Sequence, residues 1–189
     1  IPIGGGLGGG SSNAATVLTT LNQLWELNLL DNELENMSNS LGGDVPFFIR
    51  GGIQLVEGIG DIVSPLDPSP MKNLQFILVV PPIHISTHWA YREINKTLHL
   101  DKSRPKFAPH SKPMNWELFE NDFERLIYTT YPKIGLIKTT LQNAGALYAG
   151  LSGSGSTVFG VFDNKQKAEA LLGNFSPYQT FLSSPVFHY

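Results

Sequence analysis

The 189-residue chain contains no cysteine, which excludes disulfides, thiolate catalysis and cysteine-based zinc sites. It is also poor in charge. Charged residues make up 15% of it and the formal net charge is −3, so it carries no electrostatic footprint for nucleic acid or an anionic membrane. No apolar run approaches the length of a membrane span, and no signal-peptide pattern is visible. These absences lead us to expect no nucleic-acid and no membrane partner, and the lack of cysteine is compatible with a cytoplasmic location. The length suits one large domain or two small ones around a proper core. No feature speaks to the oligomeric state.

What the chain does have is glycine, concentrated at its start. Pro2-Ile3-Gly4-Gly5-Gly6-Leu7-Gly8-Gly9-Gly10-Ser11-Ser12 holds six glycines and two serines in eleven positions. Glycine lets the backbone turn where a side chain would clash and lets N–H groups approach a ligand closely. An amphipathic helical pattern follows at once, and a helix N-terminus offers unpaired donors and the positive end of a dipole. Together these predict a phosphate cradle. A flexible linker would not abut a capped helix so directly. Gly4, Gly6 and Gly9 formally spell G-x-G-x-x-G, but helix follows helix and the βαβ unit of a dinucleotide reader is missing. No Lys-Ser/Thr follows the glycines, so a Walker A loop is excluded too. The chain opens inside this loop without an initiator Met, so we expect it to be the C-terminal part of a longer protein.

Ser11, Ser12 and Asn13 are expected N-caps. They precede a helix whose apolar face carries Ala14, Leu18, Leu21 and Trp25. Asp31 is expected to cap a second helix with Leu34, Met37 and Leu41, ended by Gly42-Gly43. Asp44 to Phe48 reads as a turn into a short helix or strand, and Ile53 to Val63 as a strand pair broken by Gly58 and Gly60. Three prolines between Pro65 and Pro70 predict a linker without regular structure. Beyond it, Phe76 to Val80 reads as a buried strand and Thr87 to Leu98 as a helix. Lys102 to Pro113 reads as a mobile loop. Trp116, Phe119, Phe123 and Leu126 mark one amphipathic helix, and Pro132 opens another that ends near Gly145. Strands at Leu147–Leu151 and Thr157–Phe162 flank the turn Ser152-Gly153-Ser154-Gly155-Ser156, before a short helix and a last strand. The order predicts an α+β sandwich of ferredoxin-like type. His84 and His88 stand four apart without a third ligand, so no metal site is expected from them.

The opening segment, continued through Asn13-Ala14-Ala15, resembles the second signature of the GHMP small-molecule kinases. Leu41-Gly42-Gly43-Asp44-Val45-Pro46-Phe47-Phe48, then Gly51-Gly52 and Glu57-Gly58-Ile59-Gly60, repeat that family's order and spacing. Leu151 to Ser156 resembles its third signature. The resemblance runs from Pro2 to about Phe162 and is loosest between Pro82 and Asn143. It implies the GHMP kinase two-domain fold. Residues 1–65 would be the remnant of the N-terminal ATP-binding domain, and residues 66–189 the ferredoxin-like C-terminal domain. It implies ATP with Mg²⁺ as the phosphoryl source and residues Pro2 to Ser12 as the ATP-binding loop. A serine of that signature, Ser11 or Ser12, would approach the metal.

By the same resemblance Asp44 is the catalytic base, because transfer to an alcohol needs a group to accept the hydroxyl proton. Read without the family, Asp44 is first of all a helix cap. The spelling is closest to the branch whose acceptor is a cytidine-diphosphate-linked methylerythritol of the non-mevalonate isoprenoid pathway. That implies substrate contacts at Thr87 and Tyr91, where a ring can stack on cytosine, and at Asn13, Gly153 and Gly155. The family's first signature and its catalytic lysine have no counterpart in these residues, so the fragment is expected to show little or no activity alone. The alternatives are another GHMP kinase with a different alcohol and a non-catalytic nucleotide-binding module.

Overall fold

The computed structural model describes residues 1–58, 60, 62–97 and 114–186. The expected loop at 102–113 and the helix end at Leu98 lie outside the described residues. The chain divides into two compact units, one built on Gly8–Ser69 and the other on Ile1–Leu7 with Pro70–Pro185.

The Gly8–Ser69 unit holds α1 (Gly9–Leu24), α2 (Asp31–Ser38), α3 (Val45–Arg50) and a hairpin of β1 (Gln54–Glu57) with β2 (Ile62–Pro65). Helix α1 begins before the serines expected to cap it. Gly8 takes the cap position at φ 64° and ψ 19°, and no side chain caps the helix. The Ser12 N–H already donates to the Gly8 carbonyl at 2.9 Å, so Ser11, Ser12 and Asn13 lie inside the first turns. The buried face is also rotated from the expected one. Ala15 is buried, Leu18 and Leu21 are half-buried, and Trp25 lies past the helix end and is exposed.

Asp31 is the first residue of α2 rather than its cap. The Leu30 N–H donates to the Glu33 carboxylate at 2.8 Å instead, which ties the first turn from within. Leu34 and Ser38, one turn apart, face inward. Met37 is exposed, and so is Leu41, which lies beyond the helix end. Two hydrogen bonds from the Arg50 guanidinium to Glu35, at 2.7 and 2.8 Å, fasten α3 to α2. Hydrogen bonding to that carboxylate raises the Arg50 pKa above its ordinary value.

The proline-rich segment is more regular than expected. Pro65 still pairs with Gln54 at the end of β2, where a strand edge needs no N–H from it, and Ser69–Met71 forms a 3-10 turn.

The second unit contains β3 (Gln75–Val80), α4 (Thr87–Thr97), α5 (Phe123–Thr130), α6 (Pro132–Asn143), β4 (Tyr148–Leu151), β5 (Val158–Phe162), α7 (Lys165–Leu171) and β6 (Gln179–Ser183). Its sheet is antiparallel with strand order β4-β5-β3-β6, the ferredoxin-like arrangement expected from the element order. Alternation along the strands decides the faces. Ile77, Val79, Val158, Phe162, Ala149 and Leu151 belong to one core cluster with Ala90 of α4, Ile127 of α5, Ile134, Ile137 and Leu141 of α6, and Ala168 of α7. Gly160 admits the close approach of α6, since a Cβ there would stand 2.9 Å from a Leu141 methyl. On the opposite face Phe76, Phe159, Tyr148 and Trp116 run as neighbouring rings with centroids 5.7 to 6.4 Å apart.

The single helix expected across Trp116 to Leu126 is two pieces. Trp116–Leu118 is a 3-10 turn, and α5 starts only at Phe123. The break is made by side chains. Tyr148 donates to the Phe119 carbonyl at 2.6 Å, and the Asn121 carboxamide oxygen accepts from the Phe123 N–H at 2.9 Å. Such an Asx turn competes with the helix and restarts it.

Candidate functional site

The opening glycine loop is not a free tail in its own unit; its first half is docked on the second glycine turn. The Ser152 hydroxyl donates to the Gly6 carbonyl at 2.8 Å, and the Thr157 N–H donates to the Gly5 carbonyl at 3.1 Å. Gly6 stands at φ 74°, and a Cβ there would collide with the Ser152 carbonyl. Gly4 is also left-handed at φ 71°, and its missing Cβ leaves room for the His84 ring. Left-handed residues alternating with residues of negative φ turn successive N–H groups toward one side, a concavity suited to anions. Gly153 and Gly155, at φ 54° and 88°, shape the opposing turn in the same way.

Beneath the loop lies a side-chain hydroxyl that is not spent. The Thr157 hydroxyl is wholly buried without a hydrogen-bond partner among the described residues, and a Cβ on Gly5 would stand 2.9 Å from it. A cradle that only glycine can line, with a spare hydroxyl beneath it, fits a bound phosphate chain. Thr87, exposed at the first turn of α4, reaches Ser154, the two hydroxyls 3.3 Å apart. Tyr91 is exposed one turn further along α4, and its ring meets Phe123 edge-on at 4.9 Å. Thr87, Gly153 and Gly155 are thus brought together around one turn, and Tyr91 stands on the helix that begins there.

In the Gly8–Ser69 unit, Asp44 holds the position before α3. It is exposed, and its side chain makes no cap hydrogen bond. The carboxylate is therefore not consumed by capping the helix. Phe48, one turn on, covers Gly8, where a Cβ would stand 2.7 Å from the ring, so α3 packs on the start of α1. The hairpin turn supports the same loop from another side: at Gly60 a Cβ would stand 2.5 Å from the Gly43 carbonyl. Ser11, Ser12 and Asn13 ride on the first turns of α1, the serines half-buried and Asn13 exposed. No group of three or more His, Asp or Glu that could hold a metal occurs among the described residues.

Sequence reasoning missed the residues that hold the second turn. Asn121 donates to the carbonyls of Leu151 and Gly153 at 2.9 and 2.8 Å. Glu124 accepts from the Leu151 N–H and the Tyr128 hydroxyl, each at 2.9 Å, and is paired with Lys138. Burial, and then the Glu124 charge, push both nearby phenols up, that of Tyr148 to about 12. A cavity of about 830 Å³ opens between Asn121, Phe123, Tyr148, Leu151 and Phe159. Only the polar spacing Asn121-Asp122 within an aromatic run hinted at any of this.

A family model described as "GHMP kinases N terminal domain" matches residues 1–52, and "GHMP kinases C terminal" matches residues 107–176. The chain belongs to the GHMP kinases. Among particular relatives, the 4-diphosphocytidyl-2-C-methyl-D-erythritol kinase of Thermodesulfovibrio yellowstonii is 42% identical, covering 94% of this chain and 65% of its own length. The protein of that name from Chlorobium luteolum is 38% identical over 99% of this chain and 67% of its own. The chain thus spans about two thirds of the length of the curated relatives it matches. A crystal structure of 4-(cytidine 5'-diphospho)-2C-methyl-D-erythritol kinase shares the fold with a TM-score of 0.78 at 24% identity, covering 96% of this chain and 66% of that one. L. major mevalonate kinase in complex with R-mevalonate shares it at 0.66 and 16% identity, over 96% and 67% of the two chains.

Proposed function

We propose that this chain carries the ATP loop and the C-terminal kinase domain of an enzyme that phosphorylates the 2-hydroxyl of 4-diphosphocytidyl-2-C-methyl-D-erythritol. ATP would supply the transferable phosphoryl group, and Mg²⁺ would balance the charge of its phosphates. Residues Pro2 to Ser12 hold the phosphates by backbone donors, and the start of α1 adds its dipole. Ser11 or Ser12 would lend a hydroxyl toward the metal. Asp44 accepts the proton of the acceptor hydroxyl as that oxygen bonds to phosphorus and ADP leaves. Thr87 and Tyr91 receive the cytidine end, with Asn13, Gly153 and Gly155 beside the substrate. We read residues 1–65 as part of the ATP-binding domain, residues 66–189 as the C-terminal domain, and the location as cytoplasmic.

The observation that carries this reading is the glycine cradle held open by Ser152. Calorimetric titration of the 189 residues tests it. ATP is expected to bind weakly and ahead of NAD, and a preference for NAD would overturn the nucleotide assignment. Tyr91→Ala is expected to weaken cytidine diphosphate binding about tenfold and leave ATP affinity unchanged. Binding of ATP without cytidine diphosphate would redirect the reading to another alcohol.

Little acceptor-dependent ADP release is expected from these residues alone. Asp44→Asn lowers what there is by about a hundredfold or more. Because the carboxylate makes no cap hydrogen bond, the same variant keeps its unfolding free energy within about 0.5 kcal/mol. Equal ADP release from the variant would remove Asp44 from the chemistry.

A further inference from the structure

We infer that Asn121 is a positioning residue for the proposed nucleotide site, acting through the Ser152–Ser156 turn on the opening glycine loop. The inference rests on the kinase reading for what the loop binds, but its geometry stands apart from it.

Strand β4 is an edge strand, so its outward N–H and carbonyl groups have no strand to pair with. Asn121, just before α5, and Glu124 on its first turn take that place. Asn121 donates to the Leu151 and Gly153 carbonyls, and Glu124 accepts from the Leu151 N–H. The three bonds grip the chain immediately before and within the turn. Ser152 lies between the two carbonyls Asn121 holds, and its hydroxyl is the one that bonds Gly6. The turn is closed by a Gly155 N–H bond to the Ser152 carbonyl, and the Ser152 N–H bonds the Thr157 carbonyl, both at 2.9 Å. Thr157 in turn donates its N–H to Gly5.

A chain of direct contacts therefore runs from one carboxamide to two residues of the cradle. The turn needs such a tie, since two of its five residues are left-handed glycines that lose much conformational freedom when ordered. The amide fits this role and a carboxylate does not. Both partners of its nitrogen are carbonyl oxygens, which an aspartate would repel, while its oxygen serves Phe123.

Asn121→Asp makes the test selective, because it keeps an acceptor for the Phe123 N–H and removes both donor bonds. Amide hydrogen exchange of the 189-residue chain is followed by NMR without ligand. Exchange at Gly155 and Thr157 is expected to quicken at least tenfold, with Leu141 in α6 unchanged. The dissociation constant for ATP is expected to rise about tenfold at a temperature where the variant stays folded, and in any acceptor-dependent turnover KM for ATP rises more than kcat falls. Unchanged exchange at Gly155 and Thr157 overturns the inference. So does faster exchange with unchanged ATP affinity, which marks a structural tie only. Should Asn121→Asp not fold, Asn121→Ser, which adds no charge, is read the same way. If the unmutated chain takes up no ATP, the nucleotide reading falls, while the exchange comparison still decides whether Asn121 sets the cradle.

Discussion

At Gly6 two demands meet in one residue. The backbone is left-handed at φ 74°, and a side chain would strike the Ser152 carbonyl. Gly6→Ala is therefore expected to cost about 1–3 kcal/mol from backbone strain alone, read as a lowered urea midpoint, together with loss of ATP binding. Gly10→Ala is the control, since a Cβ there meets nothing within 4 Å and the residue lies in a helix, where alanine is favoured. It should not destabilise the chain. Asp44 makes the complementary case at this scale. Its position before α3 looks like a cap in the sequence, and only the missing side-chain hydrogen bond separates position from role.

At the scale of elements, α5 does more than cover the sheet. Glu124 sits on its first turn with Lys138 of α6, Tyr128 and the Leu151 N–H as partners. The Glu124 and Lys138 side chains are only 17% and 22% exposed. Glu124→Ala leaves a half-buried ammonium and an unpaired strand N–H, and should destabilise the chain by about 2–3 kcal/mol in chemical unfolding. Glu124→Gln, which keeps an acceptor for the strand, should lose less. The patterning of α4, α6 and the four sheet strands was readable because apolar residues recur locally at the period of each element. The break between Trp116 and Phe123 was not, because Tyr148 and the two carbonyls that fix the Asn121 side chain for its Asx turn lie about thirty positions away.

For the whole molecule, the pH response follows from the two raised phenols. Tyr128 and Tyr148 hold their protons more tightly when folded, with burial the main cause and Glu124 adding to it. Stability from these groups is complete below the ordinary tyrosine value of 10 and falls as the pH rises toward 12, where the unfolded chain has released protons that the folded one keeps. Phenolate absorbance should therefore show late-titrating tyrosines, with the urea midpoint falling across the same window. Tyr148→Phe should remove one late step. Ordinary titration of all six tyrosines would contradict the buried placement.

The order of elements, the ferredoxin-like sandwich and the glycine-rich loop are consequences of local pattern, since periodicity and turn chemistry are written in neighbouring residues. The pairing of that loop with a serine 146 positions away is not local. Neither are the orphaned Thr157 hydroxyl, the Asn121 tie, and the start of α1 at a left-handed glycine instead of a serine. These depend on which surfaces meet when the chain collapses, and a hydrogen bond between distant segments leaves no period in the sequence to read.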